Sequence, residues 1–335
     1  GLLPMPGGAL FSAPMVASAA DDSTVSPGRL SAVNYWFRHI WEYWWPLYPG
    51  VILATKLTDS TLLQFVGFQL PLGVFMAAAG LTIFLGSHPT ARARAKAAPP
   101  GTRRRLLKAT SSIWLIMLVW IACTIALRAA FGAPPMREPD GAPLPPGRQH
   151  LALAYKIVPI TLGLIVALAW TVRLNRLDRR TVGRILGGRR IYSLVALVVA
   201  VMVFQYVLQE VKAAEQIGAE LEALRIPVVI VVVLLPFIAG MVTGLAIGFV
   251  GTSFPIVLAL VAAMPDAPAM RPYAVLAYAA GHLGMMLSPL HLCHVVSNQY
   301  FKTHFGPVYR YTLPAAGLTG ILAAGYFLLL SWWMG

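Results

Sequence analysis

The sequence has few charged residues and almost no cysteine. Asp, Glu, Lys and Arg make up 11% of its 335 residues, whereas 58% are hydrophobic and the mean hydropathy is +0.71. Soluble globular domains average about 25% charged residues, so this composition excludes that class. The two cysteines, Cys123 and Cys293, lie far apart in apolar segments. They provide neither a disulfide framework nor a cysteine-based metal motif, and each is expected to be a small buried hydrophobic residue.

The sequence also lacks the short motifs of ATP-driven transport and of soluble-type catalysis. It contains no Walker loop, no Rossmann glycine pattern and no HExxH motif, and few acidic residues fall within its apolar segments. It does contain several apolar runs of about 20 residues, the length that spans the hydrocarbon core of a bilayer. We therefore predict an all-α polytopic membrane protein that is not an enzyme and has no cofactor.

The basic residues are concentrated in two loops, although the formal net charge of +14 at first suggests a nucleic-acid partner. Seven of the 26 Lys and Arg residues fall in 86–108 and seven in 173–190, both between apolar spans. Loops rich in Lys and Arg remain on the cytoplasmic side of a membrane. We therefore predict that both loops are cytoplasmic, in the inner membrane of a bacterium, and that the partner is the lipid bilayer rather than nucleic acid.

The apolar runs indicate an ordered series of spans. One amphipathic segment, 210–226, carries its apolar residues on one helical face, and we place it along the membrane interface. The predicted full spans are 59–85, 109–131, 151–172, 191–209 and 311–334.

The segment 226–264 is apolar but is interrupted by glycines, two hydroxyl side chains and a proline. Inside lipid, backbone that leaves a helix is tolerated only where it is buried in protein or lines a cavity. We predict a re-entrant hairpin that turns near Gly248–Ser253; the alternative is a kinked structural helix. The candidate substrate or ion contacts in this tip are Gly251, Thr252, Ser253 and Pro255.

The N-terminal stretch carries a similar pattern, with a Ser-x-Pro after glycines. We predict half of a second hairpin, cut at its tip; a signal peptide ending at Ala17–Ala19 is the alternative. The candidate contacts in this tip are Gly7, Gly8, Ser12 and Pro14.

Two further spans, 31–57 and 272–295, contain prolines that are expected to unwind a helix. In each span a histidine precedes the proline by seven residues: His39 before Pro46, and His282 before Pro289. Freed carbonyls and hydroxyls at such breaks coordinate cations in transporters. We therefore predict ion or substrate contacts at both breaks; the alternative is that each is an ordinary proline kink. The candidate contacts in these breaks are Pro46, Tyr48, Ser288, Pro289 and His291.

These features predict an inverted repeat. Residues 1–85 would hold the end of the first repeat, 86–108 a basic loop, and 109–335 the second repeat with its hairpin, broken helix and final span. By symmetry, on the order of a hundred residues of the first repeat would precede Gly1.

Ionisable side chains within the broken helices are candidates for proton coupling. An ionisable group at membrane depth is usually paired or functional. The candidates are His39, Glu42 and His282, although Glu42 also lies one helical turn after Arg38 and the two could form a structural pair. No metal site is predicted, because no carboxylate lies near His282, His291 and His294 in the sequence.

Three stretches of the chain resemble a family of integral membrane proteins. They are 1–14, 34–49 and 281–293, and they resemble domain-of-unknown-function family 401, which is grouped with the ion-transporter superfamily. The resemblance implies a superfamily that includes citrate, dicarboxylate and gluconate carriers and proton or sodium antiporters. In that superfamily, two opposed hairpins and two unwound helices enclose the substrate and its coupling ions. The Ser-Asn-Thr hairpin signature of the dicarboxylate branch is absent here, so the resemblance implies no particular substrate.

These observations together predict a secondary active transporter. We expect it to move a small anion, such as a carboxylate, with H⁺ or Na⁺ by alternating access. A homodimer is one candidate assembly. The alternatives are a cation/proton antiporter and a membrane scaffold that transports nothing.

Overall fold

The computed structural model describes most of the chain as a set of helices. It describes residues 9–20, 25–85, 102–132, 146–188, 226–264 and 268–334, with isolated residues between 192 and 223. All regular elements in this part of the chain are helices, as predicted for an all-α protein. In chain order they are α1 (Ala9–Ala19), α2 (Pro27–His39), α3 (Pro49–Leu57), α4 (Leu62–Gly80), α5 (Thr102–Phe131), α6 (Pro146–Leu174), α7 (Arg179–Leu186), α8 (Val228–Thr243), α9 (Ala246–Ala262), α10 (Met270–Leu287), α11 (Leu292–Tyr300) and α12 (Phe305–Met334).

Four of the described helical segments are long and apolar enough to cross a bilayer. This confirms a polytopic membrane protein. The helices α8 and α9 are equally apolar but shorter, with 16 and 17 residues. The four long segments are Leu62–Phe84, Thr110–Phe131, His150–Leu174 and Phe305–Met334.

Contacts between the helices divide the chain into two units. One unit combines the described residues of 1–94 and 196–335, and the other contains those of 95–195. In the second unit α5 and α6 pack on each other, with the hydroxyls of Ser112 and Thr171 2.7 Å apart near one end. The Tyr155 hydroxyl donates to the Leu127 carbonyl nearer the other end, so the two helices run antiparallel.

The segment 226–264 forms two helices joined by a tight turn, but the predicted position of that turn was wrong. The chain turns at Gly244, which has φ +61°, and Leu245, which is extended. The residues 248–255 instead lie within helix α9. Thr252 Oγ1 donates to the carbonyl of Gly248, and Ser253 Oγ donates to that of Phe249. Bonds of this kind satisfy the two hydroxyls within the helix.

At the N-terminus, Ser12 and Pro14 lie within helix α1 rather than in a turn. The Ser12 hydroxyl donates to the carbonyl of Ala9 at 3.4 Å. Several predicted features lie outside the described residues, apart from isolated positions: Gly7 and Gly8, the span 191–209, the interfacial helix 210–226 and most of the basic loop 86–108.

Both proline-containing spans are interrupted in the structure. Helix α2 ends at His39, a 3₁₀ turn covers Ile40–Tyr43, and helix α3 begins at Pro49. Helix α10 ends at Leu287 and α11 begins at Leu292. In each case the residue before a proline is extended, Tyr48 with ψ 125° and Ser288 with ψ 127°. The proline ring excludes the helical conformation from the preceding residue.

Helix α10 forms the centre of the first unit. Every residue from Ala274 to Met286 is buried, and α10 packs against α8, α9 and α12. Its approach to α8 depends on glycines in both helices. A Cβ atom on Gly240 would meet the carbonyl oxygen of Gly281 and lie 2.8 Å from the Met285 nitrogen. These are backbone atoms, so the helices would have to move apart to admit a methyl group.

We therefore predict that Gly240→Ala lowers the free energy of unfolding by about 1–3 kcal/mol, the usual effect of overpacking. Gly317→Ala is the matched control, because a Cβ atom there meets nothing within 4 Å. That substitution should leave stability unchanged or raise it by about 0.5–1 kcal/mol through helix propensity. Thermal unfolding in detergent, followed by circular dichroism, measures both. Equal stability of the two variants would contradict the close α8–α10 contact.

Candidate functional site

Two buried histidines from the two interruptions face each other at the centre of the first unit. His39 is the last residue of α2, and His291 directly precedes α11. Their Nε2 atoms lie 3.0 Å apart, and the side chains are 0% and 5% exposed. The two interruptions therefore meet through these imidazole rings.

Hydrogen bonds to backbone carbonyls fix the tautomer of both rings. His39 Nδ1 lies 2.5 Å from the carbonyl oxygen of Tyr35, and His291 Nδ1 lies 2.7 Å from that of Gly244. A carbonyl oxygen can only accept, so each Nδ1 must carry the hydrogen. Each neutral ring consequently presents a lone pair on Nε2 to the other ring. A cation, either a proton or a metal ion, between or beside the two nitrogens would relieve the repulsion between these lone pairs.

Glu42 adds a carboxylate to the histidine pair. Its Oε1 lies 3.8 Å from His39 Nε2, and its Oε2 accepts a hydrogen bond of 2.7 Å from the Tyr48 hydroxyl. The backbone carbonyl of Glu42 accepts a further hydrogen bond from Tyr278 in α10. The 3₁₀ turn is thereby held against the central helix, and the carboxylate is held beside His39.

The turn of the α8–α9 hairpin is bonded to the second interruption. Ser288 Oγ donates to the carbonyl of Met241 at 2.6 Å, and the Gly244 carbonyl accepts the bond from His291. A Cβ atom on Gly244 would lie 3.0 Å from the His291 nitrogen, and the positive φ of Gly244 disfavours other residues. The hairpin turn, the second interruption and His39 thus form one connected centre.

Three helices begin close to this centre. A Cβ atom on Gly50, in the first turn of α3, would lie 2.7 Å from Ala246 Cβ at the start of α9, and Gly244 contacts His291 at the start of α11. None of the three N-termini has a side-chain cap. The first backbone N–H groups of a helix have no partner within it, and its dipole places positive partial charge there. The centre is therefore suited to a negatively charged group.

The structure brings together some of the predicted site residues and separates others. Ser253 and Pro255 are buried within α9, and Thr252 is exposed. His282 is fully buried against the Tyr43 ring, 4.1 Å between centroids, and neither ring nitrogen has a hydrogen-bond partner among the described residues. The predicted residues that the structure connects at this centre are His39, Glu42, Tyr48, Ser288 and His291. Pro289 directly follows Ser288, and Pro46 lies in the stretch between the 3₁₀ turn and α3.

Ser12 contributes to a different feature, an open cavity of about 420 Å³. Arg38 and Asn34, two buried polar residues of α2, line the same cavity. Its remaining lining residues are Val16, Val33, Phe37 and Leu81.

Cys293 is a site residue that the sequence analysis missed. Its sulfur lies within 4.8 Å of ligand nitrogens of both His39 and His291, and all three residues are buried. These are the residues in the described part of the chain that could hold a metal ion. The spacing His291-x-Cys293 is the sequence signal that could have indicated the site, but the third ligand comes from the other end of the chain.

We predict that Tyr48→Phe destabilises the protein by about 1 kcal/mol, because it leaves a partly buried carboxylate oxygen of Glu42 without its donor. Tyr300→Phe is the matched control, since Tyr300 is 39% exposed at the end of α11. Thermal unfolding of both variants in detergent checks this. A Tyr48→Phe variant as stable as Tyr300→Phe would show that this hydrogen bond does not hold the 3₁₀ turn.

The chain is similar to a family of proteins of unknown function. A family model described as "Protein of unknown function (DUF401)" matches residues 1–97 and 152–330. No curated protein and no solved structure matches the chain. Because the family model covers most of the chain, the protein belongs to the DUF401 family.

Proposed function

We propose that the protein is a secondary active transporter that moves a small organic anion with H⁺ or Na⁺ by alternating access. The observation that carries this proposal is the meeting of two interrupted helices and a hairpin turn at one buried centre, where three uncapped helix N-termini lie close together. Discontinuous helices that present their N-termini to anionic substrate groups are typical of transporter binding sites. Three sequence stretches resemble the DUF401 family, and the grouping of that family with the ion-transporter superfamily supports the same function.

The charge of the centre favours an anion as the substrate. Backbone N–H groups at helix N-termini bind carboxylate and phosphate groups directly. In a water-poor interior the attraction is stronger than in bulk water, because the effective dielectric constant is lower. His39, His291 and Glu42 place cation-binding side chains beside the same backbone groups. A coupling ion and an anion could therefore bind together, as symport requires.

The short hairpin supports a re-entrant arrangement as part of this proposal. Helices of 16 and 17 residues fall below the ~20 residues of a full span. We place their turn, Gly244 and Leu245, within the membrane, with both ends on one side. Backbone that leaves a helix at that depth needs protein partners, and the turn has them in Ser288 and His291. The basic loops 86–108 and 173–190 are placed in the cytoplasm by their charge.

Transport by purified protein in liposomes tests the proposal. The panel of substrates contains labelled mono-, di- and tricarboxylates, and imposed pH and Na⁺ gradients are varied separately. We expect uptake of at least one anion, accelerated by an inward gradient of one of the two ions. Absence of gradient-dependent anion uptake would contradict the proposal, and gradient-driven Na⁺/H⁺ exchange without any anion flux would favour a cation/proton antiporter.

A charge placed at one helix N-terminus gives a sharper test. Leu292 is the first residue of α11 and is 48% exposed. In Leu292→Asp a fixed carboxylate would occupy the positive end of the helix and compete with the substrate anion. We expect at least a tenfold loss of anion uptake. Leu292→Asn is the matched control, because asparagine has nearly the shape of aspartate but no charge. This variant should retain more anion uptake than Leu292→Asp. Equal loss in both variants would argue against an anion at this N-terminus.

A further inference from the structure

We infer that His39, His291 and Cys293 bind one transition-metal ion of the Zn²⁺ class, with Glu42 as the fourth ligand. The inference depends on side-chain geometry alone and not on transport; with the metal ion bound, these side chains would no longer be open to the coupling ion of the proposed function. Imidazole nitrogen, thiolate sulfur and carboxylate oxygen are the ligand types that Zn²⁺ prefers in proteins. Hard cations such as Na⁺ and Mg²⁺ prefer oxygen ligands, so this donor set does not suit them.

The distances between the candidate ligand atoms are close to those of a tetrahedral site. Zn–N bonds of about 2.0–2.1 Å and a Zn–S bond of about 2.3 Å place tetrahedral ligand atoms roughly 3.3–3.6 Å apart. In the structure the two Nε2 atoms are 3.0 Å apart, and the ligand atoms of His39, His291 and Cys293 all lie within 4.8 Å of one another. Glu42 Oε1 is 3.8 Å from His39 Nε2. Glu42 lies outside the group of ligand atoms within 4.8 Å of one another, so its side chain would have to rotate towards the other three ligands to complete the site.

The hydrogen bonds around the two histidines are those of metal ligands. A histidine that binds a metal through one ring nitrogen usually donates its other N–H to a carbonyl or carboxylate, which fixes the ring and the tautomer. His39 donates to Tyr35 and His291 donates to Gly244 in this way. Both Nε2 lone pairs therefore point to one shared place. A proton shared between the rings is the competing occupant, and it would need neither Cys293 nor Glu42.

The charges of the four ligands balance a divalent ion. A thiolate and a carboxylate together carry two negative charges, so the buried site would be neutral with Zn²⁺ bound. Burial of an unpaired charge is strongly unfavourable, whereas a neutral coordinated site avoids that penalty. Cys293 is also the second residue of α11, where the helix dipole favours a negatively charged ligand. Because the ligands come from both interruptions, the ion would link α2 and its 3₁₀ turn to α11.

Cobalt binding to the full chain tests this inference. The protein is purified in detergent without a histidine tag, stripped of metal with a chelator, and titrated with Co²⁺ as a spectroscopic substitute for Zn²⁺. We expect one Co²⁺ per chain, visible d–d bands of a tetrahedral ion, and a thiolate-to-cobalt charge-transfer band in the near ultraviolet. Added Zn²⁺ should remove all of these bands.

Matched variants assign the ligands. Cys293→Ser should abolish the charge-transfer band, whereas Cys123→Ser should retain it. His39→Ala and His291→Ala should each weaken Co²⁺ binding more than tenfold, since even outer-shell substitutions cost about 10- to 100-fold. His304→Ala is the histidine control, because His304 is exposed and lies outside the cluster, and it should bind normally.

Two outcomes would overturn the inference. One is a wild-type protein without saturable Co²⁺ binding, which would leave a shared proton as the occupant. The other is an unchanged cobalt spectrum in Cys293→Ser. If a histidine variant fails to fold, Cys293→Ser still decides the question, because it replaces one small side chain by another. All these measurements are made without transport, so a failed uptake assay and a failed cobalt titration are separate results.

Discussion

An interrupted helix in a membrane exposes backbone carbonyl and N–H groups that hydrocarbon cannot satisfy. Here the interrupted elements satisfy one another. Ser288 bonds the carbonyl of Met241, and His291 bonds that of Gly244, so the second interruption supplies donors to the end of α8 and to the hairpin turn. By itself, neither element would satisfy these backbone groups in apolar surroundings. Their mutual dependence explains why the breaks occur together around one buried centre rather than along the length of the spans.

Local rules predicted the helices and their interruptions better than they predicted the hairpin turn. A proline acts on its immediate neighbour, so Pro49 and Pro289 each leave an extended residue that the sequence alone can locate. A sequence-based rule cannot tell which of Gly244, Gly248 and Gly251 forms the turn. Only packing distinguishes them: Gly244 fits against the His291 backbone and adopts a positive φ, whereas the residues after Gly248 complete a helix. The sequence-based prediction therefore placed the turn too late in the chain, near Gly248 and Gly251.

Most residues of the centre were among the predicted candidates, but their contacts with one another could not be predicted, because they join distant parts of the chain. His39 and His291 are 252 positions apart. In the sequence, no carboxylate lies near His291 in its own segment. In the folded protein, the carboxylate of Glu42 lies beside His39, the partner of His291. The contacts that unite the two segments, Tyr278 with Glu42 and Gly50 with Ala246, are tertiary and leave no periodic pattern in the sequence.

The proposed activity gains a physical basis from the two kinds of charge at this centre. Side chains of His39, Glu42 and His291 favour a cation, whereas the helix N-termini beside them favour an anion. Opposite unit charges about 4 Å apart attract by about 4 kcal/mol at an effective dielectric constant of 20. That energy corresponds to roughly a thousandfold increase in the affinity of each ion when the other is bound. By linkage the effect is reciprocal. A centre built in this way would favour joint binding of the two ions, which is the condition for coupled movement.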